Sequence, residues 1–421
     1  MNEPATPVST ASDDWIARHD AALSPNYKRF DVVIERGAGS RLWGVDGKEY
    51  LDLFAGFGAP LLGHCHPELV EAAREQAEKL WHVGNLLHTL PQVEAAERLR
   101  DASGFEALPF FCHSGADAND AAFKLARLYG KANRGASTGA HGRYKVISTT
   151  RSFHGRSFGA MGATGNPAVR KGFEPLPPGY ANVAYDDVSA LEAAIDAETV
   201  AIIAEPMQGE GGMNVPDAGY FKALRALCDE HDLLLIADEV WTGCGRTGRW
   251  FAHHHWGAAP DLMSLGKGVG GGLALGVSCV SPRLADLIDP RVQGGVKHAT
   301  TLGGNCVTMA VAAKLLEIVE RDGLSQHADE LGEHAKGVLR DGLASSAVRE
   351  VRGLGLFLGV ELDVPQEAAG AKAREVVLAC MERGVMVNGT ASGVIRVAPP
   401  INIERDEFDR GLSVLIEVIS A

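Results

Sequence analysis

Two residues near the middle of the chain, Asp238 and Lys267, have the types and setting for shared chemistry. Asp238 ends the apolar run Leu233-Leu-Leu-Ile-Ala and opens the glycine-rich stretch Asp238-Glu-Val-Trp-Thr-Gly-Cys-Gly-Arg-Thr-Gly248. Such a run reads as a buried parallel strand. A carboxylate at a strand exit of an open α/β sheet lies where ligands bind. Lys267 ends a second short apolar run, Pro260-Asp-Leu-Met-Ser-Leu-Gly, and precedes Gly268-Val-Gly-Gly-Gly272. An acid after one strand and a lysine after the next suit a ligand with a basic ring nitrogen and an aldehyde. The lysine can form a Schiff base and the aspartate can pair with the ring nitrogen, as pyridoxal phosphate requires. Taken singly, each residue has a plainer reading, Asp238 as a helix cap and Lys267 as a solvated turn residue. The glycines after Lys267 make no dinucleotide fingerprint, because the third is misplaced and no ribose-binding acid follows.

Other strand exits carry suitable groups. Phe110-Phe-Cys-His-Ser114-Gly115-Ala116-Asp117-Ala-Asn119 reads as a short strand broken at Ser-Gly, then an amphipathic helix that Ser114 can cap. The free N–H groups and dipole of such a start favour an anion, although many helices begin this way and bind nothing. Tyr144-Lys-Val-Ile-Ser-Thr149, a predicted buried strand, runs into Ser152-Phe153-His154-Gly155-Arg156. An aromatic ring there can stack on a flat ligand, and Arg156 can take a carboxylate in a two-point contact. A surface arginine near a core phenylalanine is the plainer alternative. Val200-Ala-Ile-Ile-Ala204 leads to Glu205-Pro-Met-Gln-Gly-Glu210, again acids at a strand exit.

The elements that must position these groups alternate strand and helix from about 110 to 280, which predicts an α/β fold with a mainly parallel sheet. Residues 1–25 read as a loosely ordered arm. Gly39 to Phe54 alternates about Asp46-Gly47, a hairpin signal. Helices are predicted from Pro67 to about Leu80, from Gln92 to Leu99, and over 307–319 and 326–343. Beyond them the pattern changes to a smaller α+β unit, with strands near 351–361, 385–387 and 394–400 and helices near 367–383 and from 405. The expected division is 1–60 as an arm and a segment joining the small domain, 61–315 as a large domain, and 316–421 as the small domain.

At 421 residues the chain is long enough for two cores. Its formal charge of −14 repels phosphate backbones, so nucleic-acid binding is not expected. The start has no basic region with an apolar core, and no apolar run approaches the ~18 residues of a membrane span. Seven dispersed cysteines without a CxxC pair fit reduced thiols in a cytoplasm. His253-His254-His255 is expected to be a solvated turn and Gly63-His-Cys-His66-Pro67 a capped turn. No metal site is expected.

Together these stretches resemble the class III aminotransferases of pyridoxal-phosphate fold type I, and within them the acetylornithine aminotransferases. The matching blocks are 114–119, 153–156, 205–212, 238–248, Lys267 and Thr301-Leu-Gly-Gly-Asn305, within residues 37 to 400. The resemblance implies a large domain with a seven-stranded, mainly parallel sheet, a small α+β domain and a homodimer with shared sites. It implies that Lys267 holds the cofactor as a Schiff base and moves the proton, while Asp238 pairs with the ring nitrogen. Phe153 and Val240 would cover the two ring faces. Ser114, Gly115 and Ala116 would cradle the phosphate, joined by Thr301 from the neighbouring subunit. His154, Glu205 and Trp241 would complete the cofactor site. Arg156 and Thr300 would face the substrate. Glu210 and Arg396 would act as a switch that joins for the amino donor and parts so that Arg396 can bind the 1-carboxylate of 2-oxoglutarate. A structural salt bridge that never opens is the alternative for that pair.

In one place the chain departs from the pattern. Most relatives carry Gln after Asp-Glu-Val, where this chain has Trp241, whose indole N–H can donate but not accept. Either it replaces that donor or it turns away and shapes the channel. Phe57 stands where ornithine enzymes carry a tyrosine that contacts the free α-amino group, which favours an acylated donor. The expected reaction moves the terminal amine of N2-acetyl-L-ornithine to 2-oxoglutarate, in arginine biosynthesis. A 4-aminobutyrate, putrescine or other ω-amino enzyme is the runner-up, and ornithine δ-aminotransferase comes behind it.

Overall fold

The computed structural model describes residues 11–133 and 141–421. Its centre is a seven-stranded sheet, with strands numbered in chain order: β1 Leu108–Cys112, β2 Lys145–Thr149, β3 Tyr180–Val183, β4 Thr199–Ala204, β5 Leu234–Asp238, β6 Leu262–Leu265 and β7 Gly276–Val280. Their spatial order is β1-β7-β6-β5-β4-β2-β3. The run β3-β2-β4-β5-β6 is parallel, with Ala237 opposite Met263 and Asp238 opposite Ser264. Only β7 runs against its neighbours. The reason is the connection: residues 266–275 are fewer than the dozen or so a parallel crossover needs, so β7 returns antiparallel beside β6.

Every residue of β4 and of β5 is buried, as expected for strands covered on both faces. Leu234 and Ile236 pack beneath the helix Gly115–Ala132, with Phe123 and Leu125. Leu235 and Ala237 face the other way, onto Tyr220, Phe221 and Leu224 of the helix Tyr220–Glu230. This two-residue alternation fixes both helix layers and leaves Asp238 at the carboxyl end of β5.

A second sheet is antiparallel and joins Val348–Leu354, Phe357–Leu362, Val394–Val397 and Asn388–Gly389. The helices Leu324–Gly342 and Gln366–Glu382 flank it, and Arg405–Ser420 packs on both of them. A third sheet joins Ile34–Ala38, Arg41–Gly44 and Glu49–Asp52 to Val385–Met386, so an early segment pairs with the C-terminal part. That pairing supports assigning residues 1–60 to the small domain, which we propose. The other expected boundary, at 315, falls inside the helix Cys306–Arg321, which packs on the helices Pro67–Lys79 and Leu90–Ser103, so we propose that the large domain runs to the end of that helix. The hairpin at Asp46-Gly47 forms with Trp43 opposite Glu49.

Two expectations are corrected. Ala11–Ala22 is a helix rather than a loose arm. Its alanines and the acids Asp13 and Asp14 in the first turn favour helix, and the Pro/Thr-rich composition ends before it. Residues 1–10 of the expected arm lie outside the described residues. His253–His255 is not a solvated turn. The His253 ring lies 3.0 Å from Glu239, and the His254 and His255 rings meet the carbonyls of Ser103 and Thr247. Burial pushes the Glu239 carboxyl up, but His253 and the Thr242 hydroxyl bring it below the usual range. Among the described residues no cluster could hold a metal, and no helix is long and apolar enough to cross a membrane.

Candidate active site

At the carboxyl ends of the parallel strands lies a cleft of about 370 Å³. Its lining includes Ser114, Gly115, Ala116, Phe153, His154, Arg156, Glu205, Asp238, Val240, Trp241 and Lys267. Five strand exits thus deliver the groups that the sequence singled out.

Asp238 is buried, and its position is fixed from three sides. One oxygen accepts from Asn119 Nδ2 at 2.8 Å and from His154 Nδ1 at 2.7 Å. The other accepts from the Val240 N–H at 3.1 Å. Asn119 Nδ2 also donates to the His154 carbonyl at 2.7 Å, so one amide ties helix, strand exit and acid together. Asn119 was missed as a site residue by sequence reasoning. The available signal was a polar amide on the buried face of an amphipathic helix, where asparagine has no propensity reason to be.

Ser114 caps the helix Gly115–Ala132 by accepting from the Asp117 N–H at 3.2 Å. The N–H groups of Gly115 and Ala116 have no intrahelical acceptor at such a terminus. A Cβ on Gly115 would sit 2.6 Å from the Val240 methyls, so glycine lets this helix start approach β5.

Glu205 is buried and spans the site's framework. Its two oxygens accept from the Phe153 N–H at 3.0 Å and the Gly209 N–H at 3.1 Å. Burial pushes its carboxyl up to about 7, against the opposing pull of His154. Both oxygens hold backbone, so Glu205 positions Phe153 and the turn that bears Glu210.

Lys267 begins a short 3₁₀ turn at φ +46°, a left-handed conformation that costs a non-glycine residue on the order of 1–3 kcal/mol. Burial lowers its amine to about 8, although Glu210, Glu205 and Asp238 pull the other way. Its Nζ stands 3.8 Å above the centre of the Trp241 ring. Trp241 has therefore turned its face to the lysine, and its own buried Nε1 has no partner.

Beside Trp241 lies a second group. Arg396, 3% exposed, holds Nη1 at 3.0 Å from Glu210, without hydrogen-bond alignment. Its Nε and Nη2 donate to Asn388 Oδ1, the neighbour across the strand pair Asn388↔Arg396. Phe54, Phe57 and Trp241 surround the guanidinium at 5.3, 5.7 and 5.0 Å. Burial lowers the Arg396 pKa, and Glu210 opposes this. Phe57 is exposed and left-handed.

Arg156 is exposed beside the Phe153 ring at 5.8 Å. Thr300 and Thr301 lie outside the cleft lining. Thr300 reaches it only through His113, with its hydroxyl 3.2 Å from the ring, and Thr301 is exposed.

A helix start for an anion, an acid for a basic ring nitrogen, a nearby lysine, and Phe153 and Val240 as apolar cover all face one cleft. These residues fit pyridoxal phosphate, and with the doubly covered α/β sheet they define an enzyme of pyridoxal-phosphate fold type I. The family model "Aminotransferase class-III" matches residues 22–419, and the chain belongs to that family. It is therefore an aminotransferase, acting on an amino donor and a keto acid. An acetylornithine aminotransferase of Caldanaerobacter subterraneus subsp. tengcongensis is 40% identical over 403 residues, covering 94% of this chain and 97% of that protein. One of Myxococcus xanthus is 40% identical, covering 97% and 99%. Among solved structures, the ornithine aminotransferase of Toxoplasma gondii superposes with a TM-score of 0.89 at 31% identity, covering 98% and 96%.

Proposed function

We propose that this chain transfers the terminal amino group of N2-acetyl-L-ornithine to 2-oxoglutarate, giving N-acetylglutamate 5-semialdehyde and glutamate in arginine biosynthesis. The observation that carries the reading is the adjacency of two sites. The Lys267–Asp238 cleft and the Arg396–Glu210 pair meet at the Trp241 ring, whose centre lies 3.8 Å from Lys267 Nζ and 5.0 Å from the Arg396 guanidinium. The full-length similarity to acetylornithine aminotransferases supports the choice of donor.

Pyridoxal phosphate, when bound, supplies the aldehyde that takes up the amine and the ring that accepts the electron pair. Lys267 would hold it, Asp238 would keep the ring nitrogen protonated, and the N–H groups of Gly115 and Ala116 with Ser114 would take its phosphate. Phe153 and Val240 would fix the ring plane, with His154 and Glu205 bracing Asp238 and Phe153. Lys267, with its amine lowered to about 8, can hold or release a proton near neutrality. Arg156 would bind the donor's carboxylate. Arg396 would be neutralised by Glu210 while a donor without a second acid is bound, and would be freed for the dicarboxylate. The Glu210 side chain is 30% exposed and that of Arg396 only 4%, so the carboxylate is the member with somewhere to go.

A second copy of the chain would complete the site. Thr300 and Thr301 stand outside their own cleft, so the partner subunit's Thr301 would reach the phosphate. Trp81, Leu86, Leu87 and Leu90 are 61–96% exposed in one short segment, which supports a covered interface. A cytoplasmic location fits the unpaired cysteines.

Glutamate formation from 2-oxoglutarate, measured with N2-acetyl-L-ornithine, L-ornithine, 4-aminobutyrate and putrescine as donors, tests the reading. N2-acetyl-L-ornithine is expected to give the highest kcat/KM. A higher value for any other donor overturns the assignment.

A further inference from the structure

Among the described residues Lys267 Nζ makes no hydrogen bond or ion pair, and its one close partner is the Trp241 ring, 3.8 Å from nitrogen to centroid. Charged groups lie near: Glu210, Glu205 and Asp238 favour its charge and Arg396, whose guanidinium is 5.0 Å from the centre of the same Trp241 ring, opposes it, yet none touches it. The indole is held rigidly. A Cβ on Gly58 would be 2.6 Å from Nε1, and one on Gly209 would be 2.4 Å from Cε3. Only glycine at both positions lets the ring lie flat under the lysine. Phe357 closes the remaining side at 5.0 Å between ring centres. The Nε1–H, beside Gly58, finds no acceptor among the described residues. Trp241 is therefore placed for its face rather than for its hydrogen bond.

We infer that Trp241 is a positioning residue for the catalytic lysine: its ring face is the berth that holds the Lys267 ammonium whenever that amine is not bound to the cofactor. The inference rests on the reading of Lys267 as the cofactor-bearing lysine. Substrate amine must displace Lys267, and the freed side chain must stay within reach to move a proton. A flexible lysine stem would otherwise swing toward the nearby acids Glu210, Glu205 and Asp238. The indole face attracts ammonium but forms no directional bond with it, so it retains the amine without taking its proton.

The berth favours the charged amine. A cation–π contact of about 0.5–2 kcal/mol corresponds to about 0.4–1.5 pH units, so its removal lowers the Lys267 pKa by that amount. The test is competitive acetylation of the full-length protein loaded with pyridoxamine phosphate, the form that leaves Lys267 free. Peptide mass spectrometry then titrates each lysine separately. In Trp241→Leu the Lys267 titration is expected to shift down by about 0.4–1.5 pH units, and in Trp241→Phe by less, while the other lysines stay in place as internal references. The lysine-dependent limb of the kcat pH profile should move with it. An unchanged Lys267 titration in both variants overturns the inference, as does an upward shift. The same measurement on the pyridoxal phosphate form checks the underlying reading independently. Lys267 should then be protected from acetylation, and its labelling there would overturn the cofactor assignment instead.

Discussion

Removing the Glu210 carboxylate should alter which molecules the enzyme accepts as donors. In the structure Arg396 is 3% exposed, tied to Asn388 along one edge and walled by three aromatic rings. Glu210 faces its remaining Nη1 at 3.0 Å, and the angle is poor for a hydrogen bond. A charge-assisted contact to a buried group is worth about 1.5–3 kcal/mol, and the misalignment points to the lower part of that range. To bind a second carboxylate, Arg396 must first give up this contact. Glu210→Ala removes that requirement, so L-glutamate should gain as a donor relative to N2-acetyl-L-ornithine. A contact of about 1.5–2 kcal/mol corresponds to a change of about 10- to 30-fold in the ratio of the two kcat/KM values. The assay is steady-state kinetics with each donor, on wild type and variant, at fixed keto acid. Glu210→Gln, which keeps the shape but not the charge, should shift the ratio in the same direction. An unchanged ratio in both variants would refute the switch and leave the pair as a fixed salt bridge.

Other consequences follow from the same coordinates. Glu205 titrates at about 7 in the folded protein against an ordinary 4.5, so the folded state holds the extra proton between those values. Its contribution to stability is fully present below about 4.5 and is lost as pH rises through about 7. Melting temperature should therefore fall for wild type relative to Glu205→Gln between pH 5 and 8, and parallel curves would contradict the burial argument. Asn119→Leu should lower kcat by at least about tenfold and cost about 1.5–3 kcal/mol of stability, because it removes one charge-assisted donor from Asp238 and leaves the His154 carbonyl unpaired. An unaltered kcat would show that His154 alone suffices. Arg246 is fully buried without a carboxylate partner among the described residues, and burial lowers its pKa to about 9. It donates to the carbonyls of Leu356 and Pro399 and so links the turn after β5 to the C-terminal part. Arg246→Ala should destabilise by about 3 kcal/mol or more in chemical denaturation.

Much of this was legible because it is local. A strand ending in Asp238, a capped helix start at Ser114, and acids after β4 are short-range patterns whose period and caps can be read directly. The antiparallel β7 was not legible, since its direction follows from the length of a loop. His253–His255 looked like a solvated turn because no spacing reveals that His253 meets Glu239 at the exit of the preceding strand, or that His254 and His255 meet the carbonyls of Ser103 and Thr247. The ring wall around Arg396 draws on Phe54, Phe57, Trp241 and Asn388, from three separate regions of the chain. Their meeting depends on how the two smaller sheets pack on the large one, and no spacing in the sequence encodes that. The orientation of Trp241 was left open between two readings. Glycines at 58 and 209, far apart in sequence, settle it by admitting the flat ring.

The central claim, that Lys267 carries pyridoxal phosphate and passes amine from N2-acetyl-L-ornithine to 2-oxoglutarate, is tested most directly by the visible absorbance of the purified protein. The cofactor band should bleach on adding N2-acetyl-L-ornithine and return on adding 2-oxoglutarate, and borohydride should fix the cofactor to wild type but not to Lys267→Ala. Bleaching by 4-aminobutyrate alone, or covalent fixation that persists in Lys267→Ala, would contradict the account.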